Sequence, residues 1–304
     1  MAVYERGYKP FTGALTREWS RFLIIPRYAY RDVFKSKLFI AFFAICFIPL
    51  LVEAILIYLH HNVNALAILK VNVRALIPID ASFFQTFVNI QTVFAFFITL
   101  LIGPPLVSRD LRNNALPLYL CRPFSRAEYV LGKMSVLIIL LSAITWIPQL
   151  LLFFFQAYLE GSGWIMSNFW IGNAIVIGSL VWIILLALLS QAVSAILKWR
   201  VVASAALLGI FFVPTVFGEV VNQIFLTRWG SIISLGALIK SVSAGLFGTF
   251  VRSSAEVVEF QNGVARQVVL QEPPLWCSWA ALFLICVICL AILSRRVKAY
   301  EVVK

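Results

Sequence analysis

Two glutamates lie inside stretches that are otherwise apolar. Glu53 falls in IPLLVEAILIYL and Glu219 in FFVPTVFGEVV, shortly after Pro49 and Pro214. An ionised side chain at mid-membrane costs about 2.5–3.5 kcal/mol on insertion scales, so keeping one requires a proton, a partner or water. A proline frees a backbone carbonyl and bends its helix, and both glutamates are therefore expected to follow kinks. With Gln91 and Asn222 they are the candidates for a polar translocation path. Packing between helices as protonated or snorkelling side chains is the plainer alternative. Asn89, Gln149, Gln156, Asn173, Gln191 and Gln223 read as interhelical hydrogen-bonding groups.

Little else in the sequence suggests chemistry. His60-His61 has no Cys, Asp or Glu at metal-ligand spacing and reads as interfacial. Cys286 and Cys289 form a C-x-x-C, but it sits inside AALFLICVICLAIL with no second ligand pair, so lipid or helix packing accounts for it. The Gly-Lys pair Gly132-Lys133 is followed by Met134 and lacks the upstream glycine of a phosphate-binding loop, so the chain is expected to carry no nucleotide site of that kind.

One loop stands out, LVSRDLRNNALPLYLCRPFSRAEYVLGK over residues 106–133. Charges at Arg109, Asp110 and Arg112 close an apolar segment. The run Ala115-Leu116-Pro117-Leu118-Tyr119-Leu120 is then stranded between charged flanks where only water or a partner meets it, which suggests a docking surface. Pro123 ends the run, and Ser125-Arg126-Ala127-Glu128 reads as a capping box that starts the next helix. A capped turn alone explains Ser125 and Glu128 but not the apolar run.

The elements that must position these residues follow from composition. The 304 residues are 62% hydrophobic and 12% charged, whereas soluble domains are nearer half apolar and a quarter charged. The excess falls into runs of the length needed to cross a hydrocarbon core about 30 Å thick. Six such runs are predicted: 38–59, 83–107, 130–158, 169–197, 201–225 and 275–293. The fold class is thus an all-α polytopic membrane protein in a lipid bilayer. The formal charge of +12 does not point to nucleic acid, because the basic residues lie between spans. Of 25 Lys and Arg, only Lys70, Arg74, Arg228, Lys240, Arg252 and Arg266 fall opposite the amino-terminal side. This asymmetry predicts both termini in the cytoplasm.

Residues 1–37 form a basic amphipathic segment, expected to lie along the membrane surface. Their first 19 residues lack the apolar core of a signal peptide. Residues 226–274 are placed outside the cytoplasm. The first half, WGSIISLGALIKSVSAGLFGTF, is apolar enough to suggest a seventh span, but Lys240 and the basic residues after the last span argue for a re-entrant or interfacial helix. The second half carries Asn262-Gly263 between two β-rich runs, the signal of a two-residue hairpin.

The 108–129 loop resembles that of ABC-2 type transporter permeases. In that family it reads as an acidic residue, a short polar gap, an apolar stretch, Pro, Ser-Arg, an acidic residue, then Gly-Lys leading into the third span. Asp110, Leu116 to Leu120, Pro123, Ser125-Arg126, Glu128 and Gly132-Lys133 match those places. Asn113-Asn114 stands where Gly-Thr is frequent, and Asp110 where Glu is usual. The resemblance implies a permease domain over residues 1–304 in a cytoplasmic (inner) membrane, paired with a second permease subunit, identical or related. Two ABC ATPase subunits would bind ATP and Mg2+ and be coupled through this loop, and export is the family's habit. Two other readings stay open: a membrane-embedded lipid-modifying enzyme, and a non-transporting accessory subunit of a membrane complex.

Overall fold

The structure is a computed structural model that describes residues 24–62, 78–113, 115, 126–197, 199–225, 227–250, 255–261, 264–270 and 272–296. Among these residues six helices are long and apolar enough to cross a membrane: Lys37–His61, Ala81–Arg112, Arg126–Glu160, Gly163–Ile196, Arg200–Ile224 and Leu275–Arg296. Each matches one of the apolar runs found in the sequence to within a residue at the end of the run. At 1.5 Å per residue, even the shortest is about 33 Å long, enough for the hydrocarbon core. The helices extend beyond the apolar runs because their polar ends continue into the interface, as at Asp110-Leu111-Arg112 after the second span.

The spans differ in what surrounds them. The most apolar windows of the second, third and fourth spans are 56%, 50% and 61% buried within the protein, against 22%, 17% and 22% for the first, fifth and sixth. The fourth span is the central post, and its core residues Ile183, Leu186 and Ala187 have no exposure. Gly103 lets the second span approach it closely, since a Cβ there would collide with Ser190. The outer spans leave apolar faces for lipid or another subunit.

Prolines interrupt two of the spans. The first is split into Lys37–Ile45 and Ile48–His61, with Pro49 at the start of the second piece. A proline is tolerated in the first helical turn, where its missing N–H breaks no bond within that helix. The third is split into Arg126–Ile144 and Trp146–Glu160 at Thr145, three residues before Pro148. By contrast, Pro104-Pro105 and Pro214 lie inside unbroken helices. Pro104 cannot donate to the Leu100 carbonyl, and Ser204 of the fifth span supplies a hydroxyl to it at 3.3 Å.

Between the fifth and sixth spans the chain forms a 3-10 turn, Trp229–Ile232, and a helix, Leu235–Leu246, started by Ser234. Twelve residues reach only about 18 Å, too short to cross. Leu235, Leu238, Ile239 and Val242 are buried, so this short helix is covered by protein, as the expected re-entrant or interfacial element requires. An antiparallel hairpin of Ala255–Gln261 and Val264–Leu270 follows, with Gln261 opposite Val264. Positions 262 and 263 fall between the strands, outside the described residues. At the other end of the bundle, helix Ile24–Val33 docks on the third span, where the Tyr30 hydroxyl donates to the Val136 carbonyl at 2.9 Å.

Candidate functional site

The second span ends and the third begins at a buried polar cluster. Asp110 Oδ2 accepts from Lys133 Nζ at 2.7 Å and from the Tyr129 hydroxyl at 2.8 Å. Lys133 is 7% exposed and Tyr129 1%. Lys133 Nζ also lies 5.6 Å from the centre of the Tyr129 ring, within cation–π range. One carboxylate oxygen thereby ties both ends of the segment that the sequence marks for docking. The backbone helps, with the Ala115 amide donating to the Asp110 carbonyl at 2.9 Å. On the outer side of the cluster the Arg112 guanidinium lies 4.9 Å from the Trp199 ring, linking the second span to the start of the fifth.

Asp110 was legible as the acidic mark of this loop, but its partners were not. Lys133 is marked in the sequence only as the second residue of the Gly-Lys pair leading into the third span, and Tyr129 is not singled out there. Among the other residues singled out, Arg126 opens the third span and is exposed, and Glu128 is half-buried in its first turn. Leu116, Leu118, Tyr119, Leu120, Pro123 and Ser125 lie outside the described residues, and with them the apolar run and the capping hydroxyl.

The four membrane candidates separate into two places. Glu53 has no exposure and sits in the second half of the first span, beside the side chain of Gln149 on the third. Neither carboxylate oxygen has a hydrogen bond of normal geometry among the described residues, and both polar atoms of Gln149 are in the same condition. Gln91 is 1% exposed and its amide donates to the Cys46 carbonyl at 3.0 Å, splinting the break in the first span. Two turns beyond Glu53 on the same helix face, His61 Nε2 meets Glu160 Oε2 at 2.7 Å. The reading of His60-His61 as merely interfacial missed this partner, which lies 99 residues away.

Glu219 and Asn222 belong to the other place, a cleft of about 610 Å3 between the fifth span, the short helix after it and the approach to the sixth span. Glu219 is exposed into it. Asn222 is turned to a structural task, its Oδ1 accepting from the Gly230 amide at 2.8 Å. That contact needs Gly218 and Gly230 to face each other without side chains. Lys240, Ser241 and Gln223 line the same cleft, and Arg228 forms an ion pair with Glu272 at its edge. The cleft thus has a carboxylate and an ammonium on different walls, neither in an ion pair among the described residues.

No group of three or more metal-ligating side chains occurs among the described residues. No curated protein matches the chain. The family model described as ABC-2 family transporter protein, however, matches residues 25–293, which takes in the first five spans, the clamped loop and all but the last turn of the sixth span. The chain therefore belongs to the ABC-2 transporter family, as a multi-pass membrane permease of an ABC transporter.

Proposed function

We propose that this chain is one of two permease subunits of an ATP-driven exporter in a cytoplasmic membrane. Two separate ABC ATPase subunits bind ATP and Mg2+ and drive it through residues 108–129. Both termini face the cytoplasm and residues 226–274 face outside, as the basic residues argue. The observation that carries this reading is the Asp110–Lys133–Tyr129 cluster. Its ion pair fastens the two ends of the loop to each other and to the spans. Movement imposed on Leu116, Leu118, Tyr119 and Leu120 then reaches the second and third spans instead of being lost at a hinge.

The need for a second permease subunit is supported by the fifth span. Phe212, Val216, Glu219 and Gln223 form one exposed stripe, and a carboxylate in such a stripe is costly against lipid. Water or a neighbouring subunit is the cheaper environment. On this reading the cleft at Glu219 and Asn222 is the outer part of the translocation path. Glu53 and Gln91 form a second polar region deeper between the first, second and third spans.

The test is copurification with a cytoplasmic ATPase, followed by Leu118→Asp and Leu120→Asp. Each substitution should abolish substrate-stimulated ATP hydrolysis while membrane insertion stays normal. Stimulation that survives both changes would sink the coupling assignment. Asn262→Cys and Lys304→Cys, on a background without native cysteines, should react oppositely with an impermeant thiol reagent. Labelling at position 304 from outside would overturn the topology.

A further inference from the structure

A second cleft, of about 740 Å3, opens at the Asp110 end of the bundle. It lies between helix Ile24–Val33, the start of the first span, the last turns of the second and the start of the fifth. Its walls change along their depth. Leu100, Leu101 and Ile102 lie about two to three turns deeper on the second span than Arg109 and Asp110, and Leu38 and Phe39 face the same space. From Leu100 to Asp110 is about 15 Å of helix, half of a hydrocarbon core about 30 Å thick. Leu38 and Leu101, 67% and 41% exposed, leave the apolar part open to the side.

The mouth is basic once its internal pairs are removed. Lys133 is neutralised by Asp110 at 2.7 Å. Asp32 is paired with Lys35 at 3.0 Å. The hydrogen bond from Lys35 and then its charge hold the Asp32 carboxyl below the usual carboxylate range, with Arg109 adding to that pull. What remains is Arg109 and Arg200, two exposed guanidinium groups lining one cleft with no ion-pair partner among the described residues.

We propose that this cleft holds one anionic phospholipid, its phosphate between Arg109 and Arg200 and an acyl chain along Leu38, Phe39 and Leu101. Basic pockets between helices at a membrane face suit anionic headgroups, and guanidinium forks suit phosphate oxygens. A free phosphate would leave the apolar half of the cleft empty. A lipid fills both halves and spans helix Ile24–Val33 and the fifth span, splinting two elements at the end of the bundle where the loop is clamped. In the orientation proposed above it comes from the cytoplasmic leaflet, but the site itself does not depend on the transport reading.

The experiment uses the full chain, delipidated in detergent, with dioleoyl-phosphatidylglycerol as probe. Dioleoyl-phosphatidylcholine and inorganic phosphate serve as controls. Melting temperature and native mass spectrometry report binding. Phosphatidylglycerol should raise the melting temperature, as any ligand of the native state does, and one molecule should stay bound. The double variant Arg109→Gln/Arg200→Gln should bind it about tenfold more weakly. Leu101→Trp keeps both guanidinium groups but fills the acyl slot, and should weaken binding similarly, so the proposal stays testable if the charge variant folds poorly. Equal shifts with both lipids would reveal an unselective annulus and overturn it. So would a phosphate shift equal to the lipid's, wild-type binding in both variants, or lipid release on dimerisation, which would assign the cleft to a second copy.

Discussion

Asp110 and Glu219 are acids at opposite ends of the same bundle, and their surroundings have nothing in common. Asp110 is held by a buried lysine and a buried tyrosine, and its own side chain is largely covered. Glu219 is exposed into a cleft whose ammonium, Lys240, stands on another wall. A buried ion pair fixes one geometry, because separating it strands a charge in a poor solvent. An exposed acid fixes none and stays available. On the proposed reading the first end transmits a position and the second meets something that comes and goes.

The sharpest way to break this contrast is to remove one member of the buried pair. Lys133→Met leaves Asp110 without its counter-ion and should cost about 3–5 kcal/mol, read as a fall in melting temperature or in resistance to denaturant. The double variant Asp110→Asn/Lys133→Met removes both charges and should regain most of that loss. If the single and double variants are equally unstable, the pair is not the source of rigidity at this end.

Glu53 supplies a third environment, more deeply buried than Asp110 and without its partners. Glu53→Leu deletes a buried polar group with no hydrogen bond of normal geometry, and should raise stability by about 1–3 kcal/mol. Glu53→Gln keeps size and hydrogen-bonding capacity while removing the charge. Transport that falls in both variants while stability rises in the leucine variant would show that the residue is retained for function. Unchanged transport in both would make Glu53 a packing residue.

Much of this fold was legible because lipid imposes a strict length on apolar runs, and six runs became six spans. The hairpin was legible for a similarly local reason, the preference of Asn-Gly for one turn type. What the sequence concealed depends on pieces far apart in the chain meeting each other. His61 and Glu160 are joined by the packing of the first span on the third. Lys133 reaches Asp110 only because two helix ends converge, although both residues were already marked as parts of one loop. Pro148 was hidden by the continuous hydropathy around it, so the break at Thr145 was not anticipated. Glu53 and Glu219 looked alike because each follows a proline in an apolar run. Hydropathy cannot tell which face of a helix is covered, and the two turned out to be fully buried and exposed.

A smaller effect is expected where helix Ile24–Val33 docks at the clamped end. Burial pushes the Tyr30 phenol up to about 12, and its hydroxyl donates to the Val136 carbonyl. Only the neutral phenol can make that bond. Its contribution is therefore complete below the ordinary tyrosine pKa near 10 and is lost as pH rises through the raised value. Tyr30→Phe should cost about 1 kcal/mol at neutral pH and should flatten the alkaline loss of stability seen in the wild type. Tyrosinate absorbance that shows no residue titrating above the ordinary range would contradict the docking.

The smallest stability effect is expected at the open end, and there the contrast is tested most directly. Glu219 has no ion pair among the described residues and is exposed, so Glu219→Gln should change stability by no more than about 0.5 kcal/mol. The same holds for Lys240→Gln, whose ammonium is also exposed. If the cleft is wet and lies on the path, these variants should nevertheless alter transport, because charges on its walls act on whatever passes between them. Glu219→Leu separates the environments further. Facing lipid, the leucine should stabilise the protein by removing a carboxylate from an apolar solvent. Facing water or a neighbouring subunit, it should be neutral or mildly destabilising. A stabilised leucine variant with normal transport would remove Glu219 from the path, leaving the clamped end as the bundle's remaining functional assignment.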